Sequence, residues 1–260
     1  MTAAAPRRRT SRGTRPEGAA SETDAARHVR EMFSRIAPRY DFLNHTLSFE
    51  LDRIWRRRAA RRFSGILRRA DARVLDLCCG TGDLMLALAR SGRAQVFGSD
   101  FAHAMLVRAA EKWTHVQHGA NGEVTRGVFT EADALCLPFG DGTFDLVTVA
   151  FGFRNLANYE SGLLEIRRVM RPGGEAGILE FAEPRGILFG PMFRFYFRKI
   201  LPRLGGVISG DGSAYAYLPN SVARFPSPEE LAELMRRVGF RDVTFERWTG
   251  GTVSLHRGQR

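Results

Sequence analysis

The sequence predicts an α/β fold: a mainly parallel, Rossmann-like sheet of seven strands, with helices on both faces and an antiparallel last strand. Three observations predict it. From Ala72 onward, strand-length apolar runs alternate with helical ones, the pattern of a parallel sheet covered on both sides. The first of these runs, "RVLDLCC", leads directly into Gly80-Thr81-Gly82, a glycine turn between strand and helix. The chain ends in two strand-like runs joined at Thr249-Gly250-Gly251, which makes them an antiparallel pair.

Residues 1–24 are mostly Ala, Arg, Ser, Thr, Gly and Pro with no apolar period and read as a disordered Arg-rich tail. Residues 25–260 read as one domain. Within it, residues 25–71 form a helical cap: Val29, Met32, Phe33 and Ile36 keep helical spacing until Pro38 interrupts, and a second amphipathic stretch carries Leu51, Ile54 and Trp55. Strands follow at "RVLDLCC", "AQVFGSD", "GVFTEAD", "FDLVTVAFGF" and "EAGILEFAEP". The intervening helices are Gly82–Arg90, "HAMLVRAAEKW" and "YESGLLEIRRVM", the last stopped by Pro172-Gly173-Gly174. After an insertion over residues 186–226, "SPEELAELMRRVGF" opens a helix with Ser227 as N-cap and Glu230 as its capping-box partner. "RDVTFERW" and "GTVSLHRG" close the sheet.

A chain of 260 residues, 44% hydrophobic, is long enough for one substantial core. Its formal charge of +11 invites an anionic partner, either nucleic acid or an acidic membrane surface. Lys112 and Lys199 are the only lysines, so the charge is arginine spread along the chain, and no nucleic-acid module accompanies it. No nucleic-acid partner is expected, and an RNA methyltransferase is the distant alternative. Cys78, Cys79 and Cys136 make no disulfide framework, and no signal peptide with an apolar core opens the chain; a reducing cytoplasm is expected. Adjacent cysteines on a strand face opposite ways, and His103 makes no zinc spacing with them. No metal is expected.

The glycine turn fits a nucleotide-like cofactor at the carboxyl ends of the strands. Asp100 closes the second strand, 18 residues beyond Gly82, where a carboxylate accepts from both ribose hydroxyls. Two details separate a dinucleotide from S-adenosyl-L-methionine. Met85 occupies the third glycine of the dinucleotide fingerprint. Asp76, four residues before Gly80, repels a pyrophosphate and suits a cationic donor. Asp133 and Ala134, at the end of the third strand, are placed for the adenine edge. The expected cofactor set is therefore Asp76, Gly80, Thr81, Gly82, Asp100, Asp133 and Ala134, in a class I S-adenosylmethionine-dependent methyltransferase fold.

The stretches "MFSRIAPRYDFLN", "LDLCCGTGDL", "LPFGDGTFDLVTVAFGFRNL", "EIRRVMRPGG", "LEFAEP", "GSAYAYLPNSVARFPSPEEL" and "GGTVSLHRG" resemble the UbiE/MenG and COQ5 type of quinone C-methyltransferases from about Val29 to Gly258. The glycine turn is common to many methyltransferases, whereas "PRYDFLN", "FGFRN" and "GGTVSLHRG" are specific to this family. The resemblance implies methyl transfer to a ring carbon of a polyprenyl quinol: demethylmenaquinol to menaquinol, or alternatively 2-methoxy-6-polyprenyl-1,4-benzoquinol on the way to ubiquinone. The Cys-Cys form of the turn is closer to menaquinone-pathway members. Where the family often has serine before "FG" in strand four, this chain has Ala150, which removes a side-chain hydroxyl contact.

A hydroquinone carbon becomes nucleophilic as a ring hydroxyl loses its proton, so the site needs a base or a cation beside the oxyanion. Arg154 in "FGFRN" is the first candidate for that cation, organising a water that takes the proton. Tyr40 and Asn44 are candidates for the lid and acceptor contacts, Asn155 for the acceptor, and His256 for the base. In the insertion, Phe193, Tyr196, Phe197 and Ile200 share a helical face opposite Arg194, Arg198, Lys199 and Arg203, the pattern of a helix lying in a membrane interface or walling a lipid tunnel. A cytoplasmic enzyme associated peripherally with the inner face of the cytoplasmic membrane is expected, and a homo-oligomer is compatible with the sequence.

Overall fold

In the computed structural model the described residues are 13–16, 18–116, 127–184, 190–191, 195–196, 200 and 212–260. Among them, seven strands form one sheet: β1 (Arg73–Leu77), β2 (Gln95–Asp100), β3 (Val128–Glu131), β4 (Phe144–Ala150), β5 (Met170–Phe181), β6 (Arg241–Trp248) and β7 (Val253–Gln259), in the order β3-β2-β1-β4-β5-β7-β6. β1 to β5 run parallel, and β7 lies antiparallel between β5 and β6. The chain steps from β1 outward through β2 and β3, then returns to β4 on the other side of β1. That reversal opens a crevice at the carboxyl ends of β1 and β4, where α/β sheets hold ligands.

Central parallel strands must be apolar on both faces, and β1 and β4 are. Leu75, Leu77, Val147, Val149 and Ile178 pack on one face beneath Leu163, Ile166, Leu231 and Met235. Val74, Leu146, Leu179 and Leu255 pack on the other against Trp55, Phe63 and Met85. Asp76 interrupts the buried run of β1 with 1% of its surface exposed.

The helices among the described residues are α1 (Glu22–Ile36), α2 (Tyr40–Leu47), α3 (Leu51–Arg62), α4 (Ser64–Leu67), α5 (Asp83–Ala89), α6 (His103–Val116), α7 (Tyr159–Val169), α8 (Gly212–Arg224) and α9 (Pro228–Arg237). α1 buries Ala25, Val29, Met32 and Ile36, and a 3-10 turn at Ala37–Arg39, with Pro38 inside it, redirects the chain into α2. The capping box of α9 forms as read: Ser227 Oγ accepts from the Glu230 N–H, and Glu230 accepts from the Ser227 N–H at 2.8 Å. No helix among the described residues is long and apolar enough to cross a membrane.

Three expectations need correction. The segment read as a disordered tail is packed where it is described: the Thr14 N–H donates to Leu156 O at 2.8 Å, and Ser21 caps α1. A polar composition missed this because the contacts are backbone and hydroxyl bonds, which need no apolar period. Ile54, expected on an apolar face, is exposed, because α3 turns Trp55, Arg56, Ala59 and Ala60 inward instead. Pro172-Gly173-Gly174 does not end α7; that helix stops at Val169 and the three residues lie inside β5. The amphipathic face read in the insertion rests on Phe193, Phe197, Arg194, Arg198, Lys199 and Arg203, which lie outside the described residues; of that set, Tyr196 and Ile200 are described.

Candidate active site

The turn after β1 is built from residues with left-handed backbone. Cys78, Gly80 and Gly82 have φ of 54°, 55° and 86°, a region that glycine enters without steric cost. At Gly82 a side chain is disfavoured twice, since its Cβ would also sit 3.2 Å from Ala109 Cβ on α6. The exit of β4 passes so close that a Cβ on Gly152 would lie 2.4 Å from Cys78 Cβ. Two strand ends are thereby drawn together under one cleft.

Asp76, Gly80, Thr81, Asp100, Asp133 and Ala134 line this cleft, with Tyr40 and Asn155. Gly82 stands behind it as the N-cap of α5. Asp100 holds the turn in place: Oδ2 accepts from the Gly80 N–H and Oδ1 from the Ala102 N–H, both at 2.9 Å. Burial pushes its pKa up to about 6, against the pull of those N–H groups. A carboxylate offers about four lone-pair positions, and with the Phe101 N–H also drawing on them capacity remains for a ribose hydroxyl. Asp133 Oδ1 accepts from the Leu135 N–H at 2.9 Å and shapes the loop that presents Ala134.

Asp76 is the unsatisfied carboxylate of the cleft. Oδ1 takes a 3.3 Å bond from the Thr148 hydroxyl, while Oδ2 is buried with no hydrogen-bond partner among the described residues. Burial raises its pKa to about 7, against Thr148, Arg56 and the nearby Met85 N–H. Buried polar atoms are nearly always paired, so this oxygen marks where a donor or cation belongs. The cleft therefore fits a ligand with a cationic end and a ribose, and Asp76, Asp100 and the Asp133-Ala134 loop are the residues that would hold it.

Tyr40 enters from α2. Burial pushes its pKa up to about 12, opposed by Arg56 and Arg154, so it stays a hydrogen-bond donor at neutral pH. Asn155 lines the cleft with its Oδ1 accepting from Tyr217 of α8 at 3.1 Å, and Thr14 donates to the same phenol at 2.8 Å.

The other predicted residues lie elsewhere. Arg154 does not line the cleft. Its Nη1 donates to Glu180 Oε1 at 2.8 Å and to the Phe151 carbonyl, Glu180 Oε2 accepts its backbone N–H at 3.1 Å, and its guanidinium lies 5.4 Å from the Phe181 ring centre. Glu180 is fully buried on β5, and a buried carboxylate requires a paired charge. Asn44 is half-buried outside the cleft. His256 is also fully buried and outside it: Nε2 donates to Pro228 O at 2.8 Å, the ring stacks on Phe245, and burial lowers its pKa to about 4. A neutral imidazole that holds the start of α9 is a packing residue, so the base assignment is withdrawn.

A charged network ties the cap to the glycine turn. Lys112 of α6 reaches Asp41 of α2 at 2.6 Å, Asp83 at 2.8 Å and the Thr81 hydroxyl at 3.0 Å, and Thr81 donates to Asp41. Behind it, His45 and Arg56 pair with Asp52, and burial of Asp83 is more than offset by Arg56 and Lys112, which hold its carboxyl below the usual range. Asp41, His45 and Asp83 bring ligand atoms within 4.8 Å of one another, but Lys112 and Arg56 already meet their charge. Thr81, expected to serve the cofactor, has its proton on Asp41. Lys112 and Asp41 stand on separate helices with two strands between them in the chain, beyond any local pattern. The one sequence signal was one of only two lysines in a chain that otherwise uses arginine.

Residues 20–260 match the model of the ubiE/COQ5 methyltransferase family. The chain is 51% identical over 230 residues to the Thermus thermophilus protein named demethylmenaquinone methyltransferase, covering 88% of this chain and 100% of that one. It is 44% identical over 242 residues to the Geobacter sulfurreducens protein named ubiquinone/menaquinone biosynthesis C-methyltransferase UbiE, covering 92% and 90%. Among solved structures, a Thermotoga maritima S-adenosylmethionine-dependent methyltransferase superposes with a TM-score of 0.56 at 18% identity, covering 88% of this chain and 98% of that one; this likeness concerns the fold alone.

Proposed function

The chain belongs to the ubiE/COQ5 methyltransferase family, and from that premise we propose that it methylates a ring carbon of a reduced polyprenyl quinone, demethylmenaquinol, with S-adenosylmethionine as donor. The acceptor reading is supported by 51% identity along the whole of a protein bearing that name. A benzoquinol acceptor is the second reading, favoured by the double name of the Geobacter relative.

The donor reading is carried by one observation: Asp76, buried in the cleft wall, leaves Oδ2 without a hydrogen-bond partner among the described residues. Asp76 would face the donor's cationic end, Asp100 the ribose hydroxyls and the Asp133-Ala134 loop the adenine edge. When bound, the donor supplies a methyl carbon made electrophilic by its sulfonium. The chain's own part is positioning and charge. Tyr40 donates a hydrogen bond to the ring oxygen on which negative charge develops, with Arg56 and Arg154 behind it lowering the potential energy of that charge. The ring proton leaves to water, since the one histidine proposed as base is buried elsewhere. Asn155, held by Tyr217, orients the acceptor ring. Holding the two reactants in line supplies up to about 7–11 kcal/mol of barrier lowering. The polyprenyl tail places the enzyme peripherally on the cytoplasmic face of the membrane, because each CH₂ withdrawn from water contributes about 0.8 kcal/mol.

The test is methyl transfer by the purified chain to short-chain quinols, followed by mass spectrometry. Methylation of demethylmenaquinol is the expected result. Methylation of the methoxybenzoquinol alone would select the second reading, and transfer to neither quinol would overturn both.

A further inference from the structure

We propose that the outward face of α2 and α3 is a docking surface for an anionic lipid bilayer. The proposal rests on the polyprenyl quinol reading, since a tailed acceptor has to be collected from a membrane. Among the described residues the four most exposed large apolar side chains are Phe49 (73%), Phe42 (62%), Phe195 (62%) and Ile54 (55%). The remaining three, Val107, Val128 and Leu164, are all below 50% and sit on separate elements.

Three of the four lie on consecutive elements. Phe42 is on α2, Phe49 in the turn that follows it and Ile54 in the first turns of α3. The Tyr196 ring is 5.9 Å from that of Phe49 and its hydroxyl donates to Leu47 O at 2.8 Å, which seats the chain neighbour of Phe195 against this turn. The turn presents Phe49 from a costly conformation: Phe49 and Glu50 have φ of 53° and 62°, a region bulky residues avoid. A fold selected for stability alone would bury that ring or relax that turn.

Arginines border the patch. Arg53, Arg57 and Arg61 follow one another at four-residue spacing, all exposed, along the outer side of α3. Arg53 pairs with Glu50 at 2.8 Å, and no ion pair holds Arg57 or Arg61 among the described residues. Bare hydrocarbon rimmed by guanidinium matches an interface of acyl chains and anionic headgroups. RNA would use the arginines and stack on the phenylalanines, but it offers nothing to Ile54. The position also serves the site: on α2, Tyr40 lines the cleft while Phe42, two residues on, faces outward. One helix, about 10 Å thick, separates the bilayer from the reacting ring.

The experiment is co-sedimentation of the full chain with phosphatidylcholine vesicles, with and without phosphatidylglycerol, at low and high salt. The native chain should bind the anionic vesicles and release them in high salt. Arg53→Gln/Arg57→Gln/Arg61→Gln should weaken binding about a hundredfold, at roughly fivefold per arginine, and Phe42→Ser/Phe49→Ser about tenfold or more. Both variants should keep the native unfolding midpoint and native methyl transfer to a soluble short-chain quinol. Vesicle binding equal in native chain and variants overturns the surface, as does a native chain that ignores anionic vesicles. Retention of random RNA without vesicle binding, lost in the variants, would reassign the surface to nucleic acid. If the variants lose vesicles while no quinol is methylated by any form, the docking surface stands and the acceptor reading falls.

Discussion

The two halves of the cleft solve opposite electrostatic problems. On the strand side, Asp76 and Asp100 are buried and raised in pKa, and Asp76 is incompletely bonded. On the cap side, Asp83 lines the same cleft, with Asp41 and Asp52 bonded to its Thr81 and Arg56. Each of these three is matched by Lys112, Arg56 or His45. The contrast shows which carboxylates await a ligand and which hold the protein together: buried anions with no ion pair among the described residues leave a place for a foreign cation, and saturated anions do not. The Arg154–Glu180 pair belongs to the second kind, although its sequence neighbourhood suggested the first.

Breaking that pair should have the largest effect. Glu180→Ala leaves a buried guanidinium unpaired, and chemical denaturation should show a loss of about 3–5 kcal/mol; a loss below about 1 kcal/mol would mean that Arg154 turns into the cleft instead. Asp100→Ala comes next, orphaning the Gly80 and Ala102 N–H groups at about 1–3 kcal/mol each and, in calorimetry, abolishing donor binding. Asp76→Asn separates binding from stability. Donor affinity should fall by about 1.5–3 kcal/mol with the charged partner gone, while stability at about pH 8 should rise. The sign follows from a folded pKa near 7 against an ordinary 3.8: the carboxyl favours the folded state most below about pH 4, that advantage is lost as pH rises to about 7, and the amide removes the dependence. By the same linkage, native donor affinity should strengthen between about pH 4 and about pH 7 with release of protons, measurable in buffers of different ionisation enthalpy. Lys112→Met should cost about 1 kcal/mol or less and appear as faster amide exchange in α2 rather than as lost donor binding. The smallest effect is expected of His256→Gln, with the pH–rate profile unmoved and turnover within about twofold, where loss of a true base costs at least about a hundredfold.

The strand side was legible because its information is local. "VLDLCCGTG" carries the strand, the turn and Asp76 within a few residues, and Asp100 ends the next strand at a distance set by one helix. Tyr40 was read from a motif, and the structure puts it in the cleft wall. Arg154, Asn44 and His256 were misplaced because sequence position does not say which way a side chain faces. Arg154 sits in a 3-10 turn and His256 on a strand paired to Ile178, where a rotation of the backbone exchanges cleft for core.

By itself the sequence determined the alternation of strands and helices, the glycine turn, the acidic strand ends and the capped last helix. All of these depend on interactions spanning a few residues or on the twofold and 3.6-fold periods of the backbone. Tertiary structure alone decided the packing of Thr14 against Leu156, the Lys112 network across separate helices, the claim of Glu180 on Arg154 and the burial of His256. Those outcomes follow from desolvation. A buried charge takes whichever partner the fold brings within hydrogen-bonding distance, and that distance exists only once the sheet has assembled.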